Sequence, residues 1–598
     1  MTAAFSPKVV LESHGRGEAG KSYGFSGFVR SIEVTELDAV RPALDEIEAA
    51  SAEGLHAAGF ISYEAAPAFD DAMVVQPPGD GPPLLWFGLF RERRLIEPDV
   101  GNGGPGGETW EPSITRDAFN ASLGRIREYI QAGDTYQVNF THRLRAEVGD
   151  PGAIYRRLAG AQRADFCAYI DTGRFKIVSA SPELFFQIRD GRIVTRPMKG
   201  TRPRGPSAQE DNQMAADLAR SEKDRAENLM IVDLLRNDLG RVCEAGTIEV
   251  GDLWAVERYE TVLQMTSRVE GKLRTGVGVS EVVSALFPCG SVTGAPKVRT
   301  MEIIRELECS PRGIYTGTLG YVSPGGESTF SVGIRTVCVD SASGIAEYGV
   351  GGGITYDSSP AREYAECVTK SKVLSTHRPN FGLFETVRFD PGAGVFLLDL
   401  HINRMARSAD YFGFPFDPER FTDLLSRETE HSPETLRLRV VLARDGQMTC
   451  ERQEVPSSGP RTAVVSELPI DSRDPFLYHK TTHRVVYESQ FARYRYVADT
   501  VILVNERGEL TECLTANVVL KFGERYLTPP VSCGLLAGTF REDLVTRGEI
   551  EEEILTPKDV GRADAVMMIN SIREKVLLGM VSPSPSQEKE KDLTEARI

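Results

Sequence analysis

One lysine within a run of positive charge is the first residue of this chain that could do chemistry. The chain carries a net charge of −17, yet no carboxylate occurs from Gly191 to Gln209, where the cations are Arg192, Arg196, Lys199, Arg202 and Arg204. A local basic segment in an acidic protein suits a small multi-anionic substrate better than a polyanion. An amine in a partly dry pocket among cations has a lowered pKa and can be a neutral nucleophile. Composition alone favours the simpler interpretation, a solvated loop of charges.

Carboxylates at three other places could act with that lysine. Glu183 directly follows a predicted strand, where a turn residue is the commoner interpretation. Asp224 and Glu227 lie three residues apart on one predicted helix, and Glu363 and Glu366 lie three apart on another. Carboxylates from two converging helices can hold Mg²⁺, with substrate oxygens completing its shell. Each pair taken separately is better explained as a solvated helix face.

A further set of residues could bind an anion. Arg335 could hold a carboxylate through two parallel hydrogen bonds, and Thr293 and Tyr315 lie in the segments TGAPK and RGIYTG. The glycine-rich segment 349–354 is interpreted as a strand and turn whose backbone amides approach an anion. It does not predict a dinucleotide site, because the βαβ context and the acidic residue are missing.

The predicted elements that position these residues are antiparallel strands and separate helices. Helices are predicted over 115–132, with Thr115 as the cap, over 212–239 and over 397–412. Strands are predicted at 136–140, 166–171, 176–180, 184–187, 193–195 and 381–388. This mixture favours an α+β fold over a doubly wound sheet. The pattern starts afresh near residue 380, so a second α+β domain is predicted over 380–580, followed by a disordered Pro/Ser/Glu/Lys-rich tail over 581–598.

The bulk composition limits the class of protein. A chain of 598 residues is too long for one hydrophobic core, so two to four domains are expected. A content of 41% hydrophobic and 26% charged residues is typical of soluble globular proteins. No apolar run approaches about 18 residues, so no membrane association is expected. The nine cysteines are scattered without a CxxC pair, which fits a reducing cytoplasm, and the acidic balance disfavours nucleic-acid binding.

The segment Pro197–Thr201 (PMKGT) resembles the Pro-Ile-Lys-Gly-Thr motif of aminodeoxychorismate synthase component I, within the chorismate-utilising enzymes. The resemblance covers residues 1–375, is weakest before residue 110, and implies that family's fold. Anthranilate synthases typically carry Ala at position 199 and His at position 264, where this chain has Lys199 and Gln264. Gln137 occupies the position of the water-activating lysine of isochorismate and salicylate synthases, and glutamine cannot be that base.

This resemblance also implies roles for the other candidates. Glu183 would be the general acid for the departing C4 hydroxyl of chorismate. Glu227 and Glu366 would be Mg²⁺ ligands, with Glu363 helping through water. The remaining residues would bind the substrate: Gln137, Thr293, Tyr315, Arg335 and the amides of Gly351 to Gly353.

The second domain has its own candidates, each unremarkable alone: Arg404, Lys480 and Glu512. Together they resemble the fold type IV pyridoxal 5'-phosphate (PLP) enzymes, which include class IV aminotransferases and aminodeoxychorismate lyase. The resemblance implies that Lys480 forms the Schiff base and that Glu512 pairs with the protonated pyridine nitrogen. Arg404, Ser571 and the amides of Thr539 and Phe540 would bind the phosphate. Asn570-Ser571-Ile572 stands where the aminotransferases carry Gly-Thr-Ala.

The two resemblances together imply a fusion that makes 4-aminobenzoate, a folate precursor, from chorismate. None of the cysteines has a Gly-x-Cys-x-Gly setting, so ammonia is expected from a separate glutaminase subunit or from solution. A homodimer through the second domain is compatible with the resemblance. Two alternatives remain open at this point: an anthranilate-type synthase fused to a class IV aminotransferase, and an active synthase with a non-catalytic second domain.

Overall fold

The structure is a computed structural model of the chain, and it describes residues 6–14, 21–99, 104, 106–375, 379–455 and 459–582. The chain divides into two compact units, each with its own sheets and hydrophobic cores. The first comprises Met1–Arg204 and Met214–Arg378, and the second comprises Gly205–Gln213 and Pro379–Ile598. From residue 583 onward, the tail predicted to be disordered lies outside the described residues.

The described part of the first unit contains one large sheet of eighteen strands. The strands are β1 (Lys8–Glu12), β2 (Ser22–Val34), β3 (His56–Ile61), β4 (Leu85–Ile96), β5 (Glu111–Pro112), β6 (Gln137–Glu147), β7 (Phe166–Asp171), β8 (Phe175–Ser181), β9 (Leu184–Arg189), β10 (Arg192–Arg196), β11 (Met198–Pro203), β12 (Glu249–Arg258), β13 (Val262–Lys272), β14 (Gly294–Ala295), β15 (Thr318–Val322), β16 (Ser328–Val332), β17 (Thr336–Asp340) and β18 (Ile345–Ile354).

The strand pairs of this sheet are antiparallel throughout the residues that the structure describes. Followed from pair to pair, the order is β13, β10, β9, β16, β15, β3, β4, β2, β1, β7, β8, β17, β18, β6. Both β11 and β12 also pair with β13. An antiparallel sheet with separate helices confirms the predicted α+β class.

Eight α-helices lie among these strands in the described sequence up to Ser371: α1 (Val40–Ala52), α2 (Arg116–Ala132), α3 (Pro151–Gln162), α4 (Ala208–Arg220), α5 (Glu222–Gly240), α6 (Val279–Leu286), α7 (Lys297–Leu307) and α8 (Pro360–Ser371). The predicted cap of α2 is confirmed, since the Thr115 side chain accepts a hydrogen bond from the Ala118 amide. Two main apolar clusters fill the unit. One contains Leu44 and Phe287, and the other contains Phe119 and Tyr348.

The single helix predicted over 212–239 is wrong, because the structure has two helices there. Ser221 separates α4 from α5, with extended backbone dihedral angles (φ −65°, ψ 110°). Its side chain accepts a hydrogen bond from the Asp224 amide and so caps α5. A helix-capping serine competes with continuation of the preceding helix, and the apolar periodicity on either side concealed this break.

The turn predicted within 349–354 is also wrong. All six residues belong to β18, which pairs with β6 over its whole length. On its other side, β18 pairs with β17 only from Ile345 to Tyr348. That edge of β18 is therefore without a β17 partner from Gly349 onward, and the carbonyl of Gly351 accepts a hydrogen bond from Lys370 Nζ (2.8 Å). The backbone amides of this segment thus belong to a strand, and their binding of an anion stays a prediction.

The second unit combines two sheets and helices. The first sheet has the order β20 (Gly394–Val395), β19 (Leu383–Asp390), β21 (Leu436–Leu442), β22 (Met448–Glu454). The second has the order β25 (Leu510–Cys513), β24 (Thr500–Val504), β23 (Thr462–Val465), β30 (Glu574–Met580), β29 (Ala565–Asn570), β26 (Ala516–Phe522), β27 (Arg525–Thr528), β28 (Glu551–Glu552). The helices are α9 (Leu398–Phe412), α10 (Pro418–Thr429), α11 (Val485–Tyr494), α12 (Thr539–Thr546) and α13 (Pro557–Val560).

All nine cysteines are free thiols, as their scattered positions indicate. Among the residues that the structure describes, no helix combines the length and the apolar character that crossing a membrane requires.

Candidate active sites

A cavity of about 250 Å³ in the first unit collects nearly all of the residues singled out there. We call it the first cavity. Its wall includes the sequence candidates Gln137, Glu183, Lys199, Glu227, Tyr315, Arg335, Gly351, Gly353, Glu363 and Glu366, together with Gln264. These residues come from β6, β11, β13, β18, α5, α8 and the connecting loops, so the antiparallel sheet brings together positions far apart in sequence.

A β-bulge directs Lys199 into the first cavity. Met198 pairs with Thr266 and Thr201 pairs with Gln264, so Lys199 and Gly200 together oppose a single residue of β13. Gly200 has φ +89°, a left-handed conformation that glycine adopts without strain. Bulges of this kind re-aim a side chain locally. In the Lys-Gly pair of the motif, the glycine therefore permits the bulge that directs the lysine side chain into the cavity.

The neighbouring cations of the basic segment are neutralised by distant acidic residues. Arg196 pairs with Asp165 (2.9 Å), and Arg202 pairs with Asp224 (2.7 Å). Within the described part of the chain, Lys199 forms no such ion pair. Burial lowers its pKa, although the nearby carboxylates of Glu227 and Glu183 oppose that shift. The solvated-loop interpretation does not hold for Lys199, because its amine lies in a cavity wall.

Glu183 has the properties of a buried acid. Its side chain is buried, and Ser291 Oγ donates a hydrogen bond to Oε1 at 2.6 Å. Burial raises the pKa of Glu183 to about 7, although the Ser291 hydrogen bond and Lys199 both favour the charged form. A carboxyl group with such a pKa can be protonated and donate a proton near neutral pH.

Three carboxylates from two helices lie on the wall of the same cavity. Burial raises the pKa of Glu227 on α5 and of Glu363 on α8. Burial has the same tendency at Glu366, but Lys370, whose Nζ lies 2.7 Å from Oε1, outweighs it and the pKa is lowered. Carboxylates from converging helices are thus present, as the sequence indicates.

The donor set suits a shared Mg²⁺ site. In the part of the chain that the structure describes, no three carboxylate, histidine or cysteine side chains form a metal cage by themselves. Mg²⁺ is usually held by one or two carboxylates, with waters and substrate oxygens completing its shell. Glu227 and Glu366 line the same cavity. They suit an Mg²⁺ ion that is shared with the substrate, and they do not suit an ion bound by protein ligands alone.

Glycines on β18 make room for the opposite wall. A Cβ atom on Gly349 would lie 2.1 Å from the Tyr315 ring, and one on Gly353 would lie 2.1 Å from Gln137 Nε2 and 3.3 Å from Lys199 Nζ. Gln137 Nε2 is buried, and none of the described residues forms a hydrogen bond with it. A buried unpaired donor in a cavity wall is a physical reason to expect a polar ligand there.

Two anion-binding candidates differ in their placement. Arg335 is in the wall, and its guanidinium donates a hydrogen bond to the Lys370 carbonyl (2.7 Å). Thr293 is the exception among the candidates, because it is buried and its hydroxyl donates to the carbonyls of Cys289 and Gly290. This hydroxyl shapes the loop that presents Ser291 instead of forming part of the cavity wall.

Sequence reasoning missed two residues of the first cavity. Lys370 follows Glu366 by four residues on α8, a spacing that predicts an ion pair. Ser291 precedes the TGAPK segment, but only the fold shows that it reaches Glu183.

A cavity of about 450 Å³ in the second unit, the second cavity, collects the other candidates. Arg404, Lys480, Glu512, Thr539 and Ser571 all line it. Phe540 does not, since its side chain lies in an apolar cluster beside Leu544. Only the backbone amide of Phe540 was predicted to bind a ligand, so the side-chain position leaves that prediction untested.

Lys480 and Glu512 are both strongly influenced by burial. Burial, followed by the charge of Arg404, lowers the pKa of Lys480 to about 7. Burial raises the pKa of Glu512 to about 7. The Glu512 carboxyl accepts hydrogen bonds from Tyr487 Oη (2.7 Å) and the Leu536 amide (3.2 Å), and Asn517 Nδ2 donates to its other oxygen (3.3 Å).

A buried network of hydrogen bonds fixes the Arg404 side chain in the cavity wall. Glu385 accepts two hydrogen bonds from the Arg404 guanidinium (2.8 and 2.6 Å), and His401 Nδ1 lies 2.8 Å from the same carboxylate. Despite burial, Arg404 and His401 hold the pKa of Glu385 far below its usual range. Sequence reasoning found Arg404 but missed Glu385 and His401, because their pairing joins β19 to α9.

These residues fit pyridoxal 5'-phosphate. Glu512 is a buried carboxyl fixed by three donors, and no Lys, Arg or His of the described residues forms an ion pair with it, so a pyridinium N–H would supply its missing cationic partner. Lys480 offers an amine with a lowered pKa, and Arg404 offers an ordered cation for a phosphate. The second cavity has room for the group and for a substrate.

Comparison with known proteins gives two consecutive family matches. The family model described as chorismate binding enzyme matches residues 8–376, and the model described as amino-transferase class IV matches residues 382–577. The anthranilate synthase component I of Streptococcus pneumoniae TIGR4 superposes with a TM-score of 0.53 at 25% identity, covering 63% of this chain and 93% of that structure.

Two relatives show how the sequence similarity is divided. The chain is 41% identical over 286 residues to anthranilate synthase component 1 of Aquifex aeolicus, covering 48% of this chain and 58% of that protein. It is 45% identical over 261 residues to aminodeoxychorismate synthase of Streptomyces griseus, covering 43% of this chain and 36% of that protein. The chain thus spans about half the length, or less, of these relatives, and similarity alone does not separate the two activities.

Proposed function

The chain belongs to the chorismate binding enzymes, with a class IV aminotransferase-like domain behind that family's domain, and we propose that it converts chorismate to 4-aminobenzoate in two steps. The first domain would replace the C4 hydroxyl of chorismate by an amino group. The second would remove pyruvate from the resulting 4-amino-4-deoxychorismate. One observation carries the proposal: Lys199, the residue that the resemblance associates with this activity and not with anthranilate formation, lies at a bulge in the wall of the first cavity.

In the first step, Lys199 acts as the nucleophile and Glu183 as the general acid. The Lys199 amine attacks C2 of the ring, the double bonds shift, and the C4 hydroxyl leaves as water after Glu183 protonates it. Ammonia then attacks C4, the double bonds shift back, and the bond from C2 to Lys199 breaks. Chorismate and ammonia therefore give aminodeoxychorismate and water, and the lysine is regenerated.

Substrate and metal would meet at the carboxylate wall of the first cavity. Glu227 and Glu366 would hold Mg²⁺, which would neutralise a substrate carboxylate during the displacement. Gln137, with its unpaired Nε2, and Arg335 would donate hydrogen bonds to the substrate from the opposite wall.

In the second step, the chain supplies a base and an electrostatic anchor. PLP, when bound, would supply an electron sink for the electron pair that the ring C4–H bond leaves behind on losing its proton. Glu512 would fix the cofactor's ring nitrogen in its protonated form, and Arg404 would hold the phosphate. Lys480, whose pKa of about 7 leaves an appreciable neutral fraction, would take the C4 proton, and loss of enolpyruvate from C3 makes the ring aromatic.

Product identification tests the whole proposal. Purified protein is supplied with chorismate, ammonia, Mg²⁺ and PLP, and 4-aminobenzoate and pyruvate are expected in equal amounts. Anthranilate as the product would instead support the first alternative, which the 41% identity to an anthranilate synthase component keeps in view. Aminodeoxychorismate that accumulates without pyruvate would support a non-catalytic second domain.

Ammonia is expected to come from outside this chain. None of the nine cysteines has the Gly-x-Cys-x-Gly setting of a glutaminase nucleophile. Glutamine should therefore not replace ammonia until a separate glutaminase subunit is added. Glutamate release from glutamine is measured with the purified chain alone, and hydrolysis at a rate comparable with amination would contradict the prediction.

The first step is expected to lose rate as pH rises through about 7. Glu183 must be protonated to act as the general acid, and the protonated fraction falls above its pKa of about 7. Replacing Ser291 by Ala removes a hydrogen bond that stabilises the charged form, so the declining limb should shift to higher pH. The pH profile of aminodeoxychorismate formation is compared for the two proteins. An unshifted limb in Ser291→Ala would assign that limb to another group.

Replacing Glu227 by Gln is expected to slow the first step by about 10²-fold or more, because the neutral amide is a poor Mg²⁺ ligand. Glu222→Gln, on an exposed residue at the start of the same helix, is the matched control and should retain full activity. Pyruvate release from supplied aminodeoxychorismate should be unchanged in both. Equal loss of both steps would indicate misfolding.

A further inference from the structure

Besides Arg404 and Lys480, the second cavity is lined by four arginines that the proposed cofactor roles leave unused: Arg437, Arg439, Arg484 and Arg573. Arg484 donates a hydrogen bond to the Leu514 carbonyl, so Arg437, Arg439 and Arg573 remain. Arg404 is neutralised by Glu385, whereas no carboxylate of the described residues forms an ion pair with the other three. Unpaired guanidinium groups concentrated in a cavity of a protein with net charge −17 indicate an anionic ligand.

Two of these arginines are presented by one strand face. Arg437 and Arg439 alternate along β21 with the fully buried Leu438 between them, so both side chains point to the same face of the sheet. The Arg439 guanidinium lies 4.9 Å from the centre of the Phe384 ring. Lys480 Nζ lies 4.7 Å from the centre of the same ring. Arg439 and Lys480 thus both lie close to the centre of the Phe384 ring.

The third arginine comes from the turn after β29. Asn570 Oδ1 accepts hydrogen bonds from the amides of Ile572 (3.1 Å) and Arg573 (2.9 Å), which fixes the turn. Arg573 Nε is buried and has no hydrogen-bond partner among the residues that the structure describes. Burial lowers the pKa of Arg573, and the positive charge of Arg437 lowers it further. Two like charges lie close together around an unsatisfied donor, and a bound anion would relieve both costs.

We propose that Arg437, Arg439 and Arg573 form a subsite for substrates with two carboxylates, separate from the phosphate-binding Arg404. The inference rests on the proposed function and makes its second step specific. Aminodeoxychorismate carries a ring carboxylate and an enolpyruvyl carboxylate, and guanidinium groups bind carboxylates through paired hydrogen bonds. Alanine and the branched-chain amino acids carry one carboxylate each, so they would leave part of this subsite unpaired.

The same subsite accounts for release of the products. Elimination divides a dianion into 4-aminobenzoate and pyruvate, and each product retains one carboxylate. Each product therefore makes only part of the contacts that held the substrate. Because it forms fewer hydrogen bonds and ion pairs with the arginines, it binds more weakly than the substrate.

The test uses the full-length holoenzyme with Arg439→Gln and Arg573→Gln, each measured in the lyase half-reaction. The KM for aminodeoxychorismate is expected to rise on the order of ten- to a hundred-fold in each variant, because a charged hydrogen-bonding group is lost. The kcat should change much less. Arg452→Gln on β22, whose arginine is exposed and paired with Glu428 (2.7 Å), is the matched control and should keep the wild-type KM.

A second readout does not depend on turnover. Chorismate carries the same two carboxylates but no amino group, and it is titrated in EDTA, so that the Mg²⁺-dependent first step is stopped, while the visible absorbance of the bound cofactor is followed. Both variants should weaken the chorismate-induced change by a similar factor, and 4-aminobenzoate, with one carboxylate, should be affected less. Retained cofactor absorbance and an unchanged Tm establish that each variant is folded.

The outcomes separate the two proposals. A wild-type protein that releases no pyruvate but binds chorismate in an Arg439- and Arg573-dependent way would overturn the lyase proposal and keep the subsite. Variants that bind chorismate and aminodeoxychorismate like wild type would overturn the subsite. Lysine replacements, which keep the charge without the paired donors, are expected to restore binding only in part.

Discussion

Replacing Lys199 by Ala is expected to lower aminodeoxychorismate formation by about 10³-fold or more. The variant keeps Glu183, the carboxylate wall and the glycine strand, but it lacks the amine that we propose attacks C2. Pyruvate release from supplied aminodeoxychorismate should remain at the wild-type rate, because we assign that step to the second cavity. Both steps are measured in the same preparation, so each serves as the folding control for the other.

A covalent adduct is the direct sign of this mechanism. Wild-type protein mixed with chorismate and Mg²⁺ without ammonia, then quenched, should show an intact-mass increase that maps to Lys199. Lys272→Ala is the matched control, since Lys272 is an exposed residue paired with Glu244 (2.8 Å) outside both cavities. Full activity of Lys199→Ala would remove the nucleophile from the proposal, and an adduct on another lysine would reassign it.

Replacing Lys480 by Ala should lower the rate of pyruvate release by about 10³-fold or more. Aminodeoxychorismate made from chorismate and ammonia should then accumulate. Under the proposed function, the variant loses both the amine to which the cofactor would attach and the base that would take the C4 proton. Covalent attachment of PLP is measured independently by borohydride reduction and peptide mapping, which should locate it at Lys480 in the wild type and detect none in the variant.

Lys521 offers a matched control for that experiment. It lies on β26 in the same unit, and its Nζ is 5.5 Å from the centre of the Tyr526 ring, outside the cavity wall. Lys521→Ala should bind PLP and release pyruvate like wild type. Pyruvate release by Lys480→Ala would overturn the assigned base. Efficient amino transfer from D-alanine or branched-chain amino acids to 2-oxoglutarate without pyruvate release would identify an aminotransferase instead.

Local signals in the sequence predict much of the scaffold. The α2 helix and its Thr115 cap follow from apolar periodicity and a cap residue, and β7 has the predicted limits of residues 166 and 171. The break at Ser221 was equally local but was hidden by similar periodicity on both sides. Where a single residue with a side-chain hydrogen bond decides the backbone, periodicity is an incomplete guide.

Relations between distant residues account for what the sequence did not predict. The cations around Lys199 suggest one shared basic patch in the sequence. In the structure, Asp165 and Asp224 form ion pairs with two of the arginines, and Lys199 lies in the cavity wall. The contact of Ser291 with Glu183 spans 108 residues, and the pairing of Glu385 with Arg404 joins a strand to a helix. No spacing rule specifies such contacts, because the tertiary fold creates them.

The bulge at Lys199 has a consequence for how this family can diversify. Since Lys199 and Gly200 share one opposing residue, the pairing of β11 with β13 on either side does not depend on which side chain position 199 carries. An alanine there, as in anthranilate synthases, would leave the strand register intact and remove only the amine. Under the proposed function, a change of side chain at position 199 would therefore change the product while the sheet kept its register.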